Sequence, residues 1–140
     1  MRLAIDPGKG TGVAWREEDG ELRGLQWPGE SIWVVLNGFH STVGITELVV
    51  EAFISRPGPA INLSASETIG RIYAWCELEG LTPIMQTPSA AKQRVTNDRL
   101  RAAGGWMRSQ KHARDAVRHL LLREHNAGEL DLDQWPKVME

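Results

Sequence analysis

Two stretches of this chain have the same form: Leu3-Ala4-Ile5-Asp6 and Leu48-Val49-Val50-Glu51 are apolar runs, each ended by one carboxylate. An apolar, partly β-branched run of this length reads as a strand buried on both faces, the kind found inside a parallel sheet. If the two strands are parallel neighbours, both carboxylates emerge at one sheet edge, where open α/β sheets bind their ligands. Two carboxylates placed so closely raise one another's pKa or require a counter-ion, and a divalent cation with oxygen ligands meets that need. The plainer alternative is that each acid serves only its own turn, since Asp before Pro-Gly is ordinary turn chemistry.

The surrounding pattern supplies the other elements. Residues 2–5 and 13–15 flank a Gly/Pro cluster, Asp6 to Gly12, and predict a hairpin; a third strand is expected over Leu22–Trp27, between Asp19-Gly20 and Pro28-Gly29. Apolar positions 32, 35, 36 and 39 have helical spacing. After a loop carrying Pro57-Gly58-Pro59, Ser64-Ala65-Ser66-Glu67 has capping-box spacing and opens a helix running to Gly80. A short strand is expected over Thr82–Gln86, followed by a helical turn at Thr87-Pro88. The last helix covers Gln110 to His125, with Ala113, Ala116, Val117, Leu120 and Leu121 on one stripe. The acidic tail from Glu129 to Glu140, with Trp135 and Pro136, shows no period. This order implies an α/β fold, a mixed sheet with helices on its faces. One domain over 1–126 with a C-terminal tail over 127–140 is the expected organisation for 140 residues.

The third acid comes from the last helix. His112 and Asp115 are three residues apart and share a helix face. Asp115 stands at the edge of the apolar stripe, where it can point toward the sheet edge that carries Asp6 and Glu51. Three or four such ligands suit phosphodiester hydrolysis by paired cations about 4 Å apart, which needs acids and no protein nucleophile. Cys76, the one cysteine, sits mid-helix among apolar neighbours and reads as packing. A single cysteine also excludes an intrachain disulfide and points to a reducing, cytoplasmic setting. No run of about 20 apolar residues is present to span a membrane. The net charge of −2 argues against a strongly basic nucleic-acid binder. Yet Lys92, Arg94, Arg99, Arg101, Arg108, Lys111, Arg114 and Arg118 face only Asp98 and Asp115 between positions 92 and 118, so positive charge is concentrated there.

With these residues in place, the chain resembles the RuvC family of Holliday junction resolvases, within the RNase H-like nucleases. Ile5-Asp6-Pro7-Gly8 with Thr11-Gly12 resembles the family's first-strand motif, and Val50-Glu51 its second acidic position. Ser66 to Trp75, containing Ile69-Gly70-Arg71, is similar to the helix that follows, and Thr87 to Val95 to the basic segment after the fifth strand. His112-Ala113-Arg114-Asp115-Ala116 resembles the last-helix motif, with histidine where many relatives carry aspartate. The resemblance spans residues 2 to 122 and implies an RNase H-like five-stranded mixed sheet. It also implies a homodimer that cuts branched DNA, with Asp6, Glu51, His112 and Asp115 holding two Mg²⁺ or Mn²⁺ ions. By the same resemblance Lys92, Arg94, Arg99 and Lys111 contact phosphates, and Phe53 matches the aromatic wedge near the junction centre, unless it is a core phenylalanine. The histidine shifts metal preference toward Mn²⁺. The short chain, the Pro57-Gly58-Pro59 loop and the tail after Asn126 depart from typical bacterial members and suggest a compact, phage-type branch nuclease.

Three other readings compete. Asp6 to Gly12 also resembles the phosphate loop of actin-like ATPases, but 140 residues leave no room for the second lobe those enzymes need. A non-catalytic branched-DNA-binding scaffold could share the fold; the complete set of acids argues against it. An RNase H-type hydrolase of RNA-DNA hybrids would share the metal site and differ in its substrate groove.

Overall fold

Strand alternation divides the first strand, β1 (Arg2–Asp6), between two cores: Leu3 and Ile5 enter one and Ala4 the other. The same division holds in β2 (Gly10–Arg16) and β4 (Glu47–Glu51), where Val13, Trp15, Leu48 and Val50 face the first core and Ala14 and Val49 the second. With β3 (Leu22–Pro28) and β5 (Ile84–Gln86) these strands make one five-stranded sheet in the order β3-β2-β1-β4-β5. β1 pairs antiparallel with β2 and parallel with β4, and β5 continues the parallel half. The structure is a computed structural model in which residues 1–53, 63–106 and 110–134 are described; the Pro57-Gly58-Pro59 loop, Arg108, Trp135 and Pro136 lie outside these.

The helices α1 (Ile32–Thr42) and α2 (Leu63–Glu79) cover the first face through Ile32, Leu36, Ile69, Ile72, Trp75 and Cys76. Cys76 is buried there, as its apolar neighbours predicted, and burial pushes its thiol pKa up. The other face carries α3 (Pro88–Arg94), α4 (Asn97–Ala102) and α5 (Lys111–Asn126). Sheet positions on this side are small, Ala4, Ala14 and Gly12, so α5 packs close to the strands and buries Ala116, Val117, Leu120 and Leu121. Truncating such a leucine costs about 2–5 kcal/mol.

The hairpin, the third strand, the central strand and the last helix fall where the sequence places them. The capping box does not: α2 is already helical at Leu63, one residue ahead of the expected Ser64 cap, and Ser64 contributes its carbonyl to Thr68 Oγ1 at 2.9 Å. The fifth strand starts at Ile84, two residues later than expected. Thr87 caps α3 by accepting the Ala90 N–H, with Pro88 at the first turn as predicted. Thr96 does the same for α4, whose six residues are too few to show a period in the sequence. The aperiodic tail is seated as far as Gln134: Leu132 is fully buried under α5, and its N–H meets His125 Nδ1 at 3.1 Å.

Candidate active site

Parallel register aligns the acids. Ile5 pairs with Val50, so the next residues, Asp6 and Glu51, stand level at the ends of β1 and β4, and Gln86 of β5 pairs with Glu51 beyond them. Helix α5 crosses these ends with His112, Asp115 and His119, whose spacing of three and then four puts all three on one stripe. His112 Nδ1 lies 2.9 Å from Asp6 Oδ2, and His119 Nε2 lies 3.1 Å from Glu51 Oε1. The other ring nitrogen of His119 sits 2.8 Å from the Gln86 side-chain amide. Asp115 accepts a hydrogen bond from Arg118 at 2.8 Å, while Arg118 also donates to the Val95 carbonyl and to Asn97.

The first turn of α5 can reach Asp6 because of Gly12. A Cβ at that position would lie 1.9 Å from the His112 carbonyl oxygen, so no other residue lets the helix rest on the hairpin. The N-cap residue Gln110 makes no side-chain cap; instead Gln26 Oε1 on β3 accepts the N–H groups of His112 at 2.8 Å and Ala113 at 3.2 Å. Two orphan amides of the helix start are thus satisfied across the sheet. The β1–β2 turn lies along the His112 ring, which a Cβ added at Gly10 would meet at 3.4 Å. Thr11 Oγ1 binds both the N–H and the carbonyl of Gly8, and Thr68 of α2 donates to that carbonyl at 3.2 Å.

Burial and the adjacent Glu51 and Asp115 push Asp6 up to about 10, with Lys92 working in the other direction. Glu51 moves the opposite way: burial opposes its charge, but hydrogen bonds from His119 and from Asp6 bring it down to about 2. One proton is therefore shared by two carboxyl groups at neutral pH, as expected of like charges confined together. Among the described residues, no three His, Cys, Asp or Glu side chains already form a metal cage. Each is turned to a protein partner: Asp6 to His112, Glu51 to His119, Asp115 to Arg118. The donor chemistry nonetheless suits a divalent cation, because Glu51 and Asp115 both act on the buried Asp6 and raise it.

Of the four positions singled out from sequence, Asp6 is in contact with His112 and Glu51 and feels the charge of Asp115. Lys92 is close enough to act electrostatically on both Asp6 and Glu51, and with Lys111 it lines a 320 Å³ cavity that also includes Asp115. Arg94 and Arg99 do not line it. Arg94 contacts His125 Nε2 at 2.7 Å and Asp133 at 3.1 Å, and Arg99 donates to the Arg94 carbonyl. Phe53, two residues past Glu51, is about one-third exposed and outside both cores. His119, Gln86, Gln26 and Arg118 were missed. Only the seven-residue interval from His112 to His119 carried a signal, and it was hidden within the apolar stripe.

No profile of a known protein family and no curated protein matches the chain. Solved structures do. RuvC of Thermus thermophilus in complex with a Holliday junction substrate is 17% identical with a TM-score of 0.65, covering 91% of this chain and 96% of that one. The T. thermophilus RuvC structure without that description gives 0.63 at the same identity and coverage. The yeast mitochondrial Holliday junction resolvase is 15% identical with a TM-score of 0.47, covering 99% of this chain and 69% of that one. The chain has the RNase H-like fold, in the form that RuvC takes.

Proposed function

We propose that this protein is a divalent-metal-dependent endonuclease that cuts branched DNA, with Holliday junctions nicked in pairs by a homodimer. The observation that carries this reading is the level placement of Asp6 and Glu51 on adjacent parallel strands with Asp115 beside them, a buried excess of negative charge. The fold shared with a RuvC that was solved on a Holliday junction supports the choice of substrate.

Asp6, Glu51, Asp115 and His112 would hold Mg²⁺ or Mn²⁺. When bound, such ions supply a hydrolytic nucleophile at neutral pH and stabilise charge on the leaving oxygen. The chain's own residues prepare that site. His119 keeps Glu51 ionised and aimed, and the fully buried ring leaves Glu51 little freedom to turn away. Arg118 fixes Asp115 in the same manner, itself held by Val95 and Asn97. Lys92 and Lys111 offer charge to the phosphate backbone without reading bases. Phe53, two residues past Glu51 and about one-third exposed, would be the wedge at the branch point.

The test is incubation of the protein with a four-way junction, a matched linear duplex and an RNA-DNA hybrid, in Mg²⁺, Mn²⁺ or chelator, beside Asp6→Asn. Paired nicks in the junction alone, dependent on cation and lost in the variant, are expected. Junction binding without cutting would favour a scaffold, and cutting of the hybrid alone an RNase H-type hydrolase.

A further inference from the structure

The last helix brings a cation to the site as well as an acid. Asp115 and Arg118 share a face of α5, both are buried, and the guanidinium donates to Asp115 Oδ1 at 2.8 Å. Its Nε donates to the Val95 carbonyl at 3.1 Å, and its other amino group donates to the Asn97 side chain. Val95 caps the end of α3 and Asn97 opens α4, so one guanidinium ties α5 to the junction between them. Arg118, Asp115 and Lys92 also line the same 320 Å³ cavity.

Charge is therefore distributed unevenly over the acids. At the strand ends, Asp6 and Glu51 meet each other and two histidines, and together they hold a proton at neutral pH. On the helix, Asp115 faces a guanidinium, which cannot give up its charge. A cation arriving between Asp6 and Glu51 replaces a proton, as metal binding to carboxyl groups commonly does. A cation arriving at Asp115 must instead share a buried carboxylate with a permanent positive charge, where repulsion is weakly screened. A phosphodiester brought beside them adds the negative charge that such a second cation needs.

We infer that Arg118 is the resident counter-cation of Asp115, that it confines the DNA-free protein to one tightly held divalent ion at Asp6 and Glu51, and that Asp115 takes a second only alongside the phosphate backbone. Arg118 is thus a positioning residue that acts through Asp115. That the acids bind cations at all rests on the function proposed above; Arg118 sets how many they hold before DNA is bound.

The test is Mn²⁺ titration of the DNA-free protein, with the free ion counted by electron paramagnetic resonance. Wild type is compared with Arg118→Gln, Arg118→Lys and Asp115→Asn, and circular dichroism and melting check that each is folded. Wild type should take one ion, with a second at least about tenfold weaker. Arg118→Gln, which can still donate to Asp115 but carries no charge, should tighten the second ion about tenfold or more. Arg118→Lys, which keeps the charge and loses the fork, should leave it weak. A tie between α5 and the α3–α4 junction with no electrostatic role would make these two variants behave alike, and that result would overturn the inference. Asp115→Asn should abolish the second ion and keep the first; a first ion weakened about tenfold would mean that Asp115 already serves it, against the inference. Should the Arg118 variants fail to fold, the wild-type titration still decides. Two ions of equal strength there would overturn the role of Arg118 and leave the cation site standing. No Mn²⁺ bound by any of the proteins would overturn both.

Discussion

The two histidines of α5 meet two carboxyl groups, but in different surroundings. His119 is buried, with Glu51 on one side and Gln86 on the other. His112 has 41% of its side chain exposed and meets Asp6 at the rim, along the glycine turn. One contact is enclosed by the sheet and the helix, and the other is open to whatever enters the cleft. The difference separates a histidine that positions an acid from one that can itself become a ligand.

Gly12→Ala should break the comparison most severely. A methyl placed 1.9 Å from the His112 carbonyl must lift the first turn of α5, detaching it from Gln26 and Asp6 while the His119 end stays packed. A loss of about 4 kcal/mol or more is expected in denaturant unfolding, with all cleavage. His119→Ala comes next. It leaves Glu51 without its histidine donor and opens a cavity, costing about 1–3 kcal/mol of stability and about 10–100-fold in activity. His119→Gln, which can still donate to Glu51, should recover part of both.

Asp6→Asn should act in the opposite direction on stability. The folded pKa of Asp6 is raised from 3.8 to about 10, so its contribution is full below about pH 4 and is lost as pH rises toward 10. The variant removes that loss. Without metal it should melt higher than wild type by several degrees at pH 9, about 1–2 kcal/mol, and by little at pH 5. Equal differences at both pH values would mean that Asp6 is not crowded by Glu51. His112→Ala should change stability least, within about 0.5 kcal/mol, because the ring is near the surface. Its effect should appear in cation dependence instead, as a reduced preference for Mn²⁺ over Mg²⁺ in cleavage.

Much of this arrangement was legible in the sequence, because it depends on period and register. Asp6 and Glu51 could be placed together since each ends an apolar run, and His112 and Asp115 since three residues separate them. His119 was not legible: nothing local distinguishes a histidine facing a strand end from one within a core stripe. Gln26 was hidden for a similar reason, because its role as a cap for α5 joins positions 86 residues apart. The phosphate roles expected of Arg94 and Arg99 came from the family resemblance, and no local pattern shows that Arg94 contacts His125 and Asp133 of the C-terminal segment.

The most direct measurement is Mn²⁺ binding by calorimetry to wild type, Asp6→Asn and Glu51→Gln, all in the folded state. Binding by wild type that weakens at least tenfold in both variants is the expected result. Binding of equal strength in all three would contradict a cation site at the ends of β1 and β4.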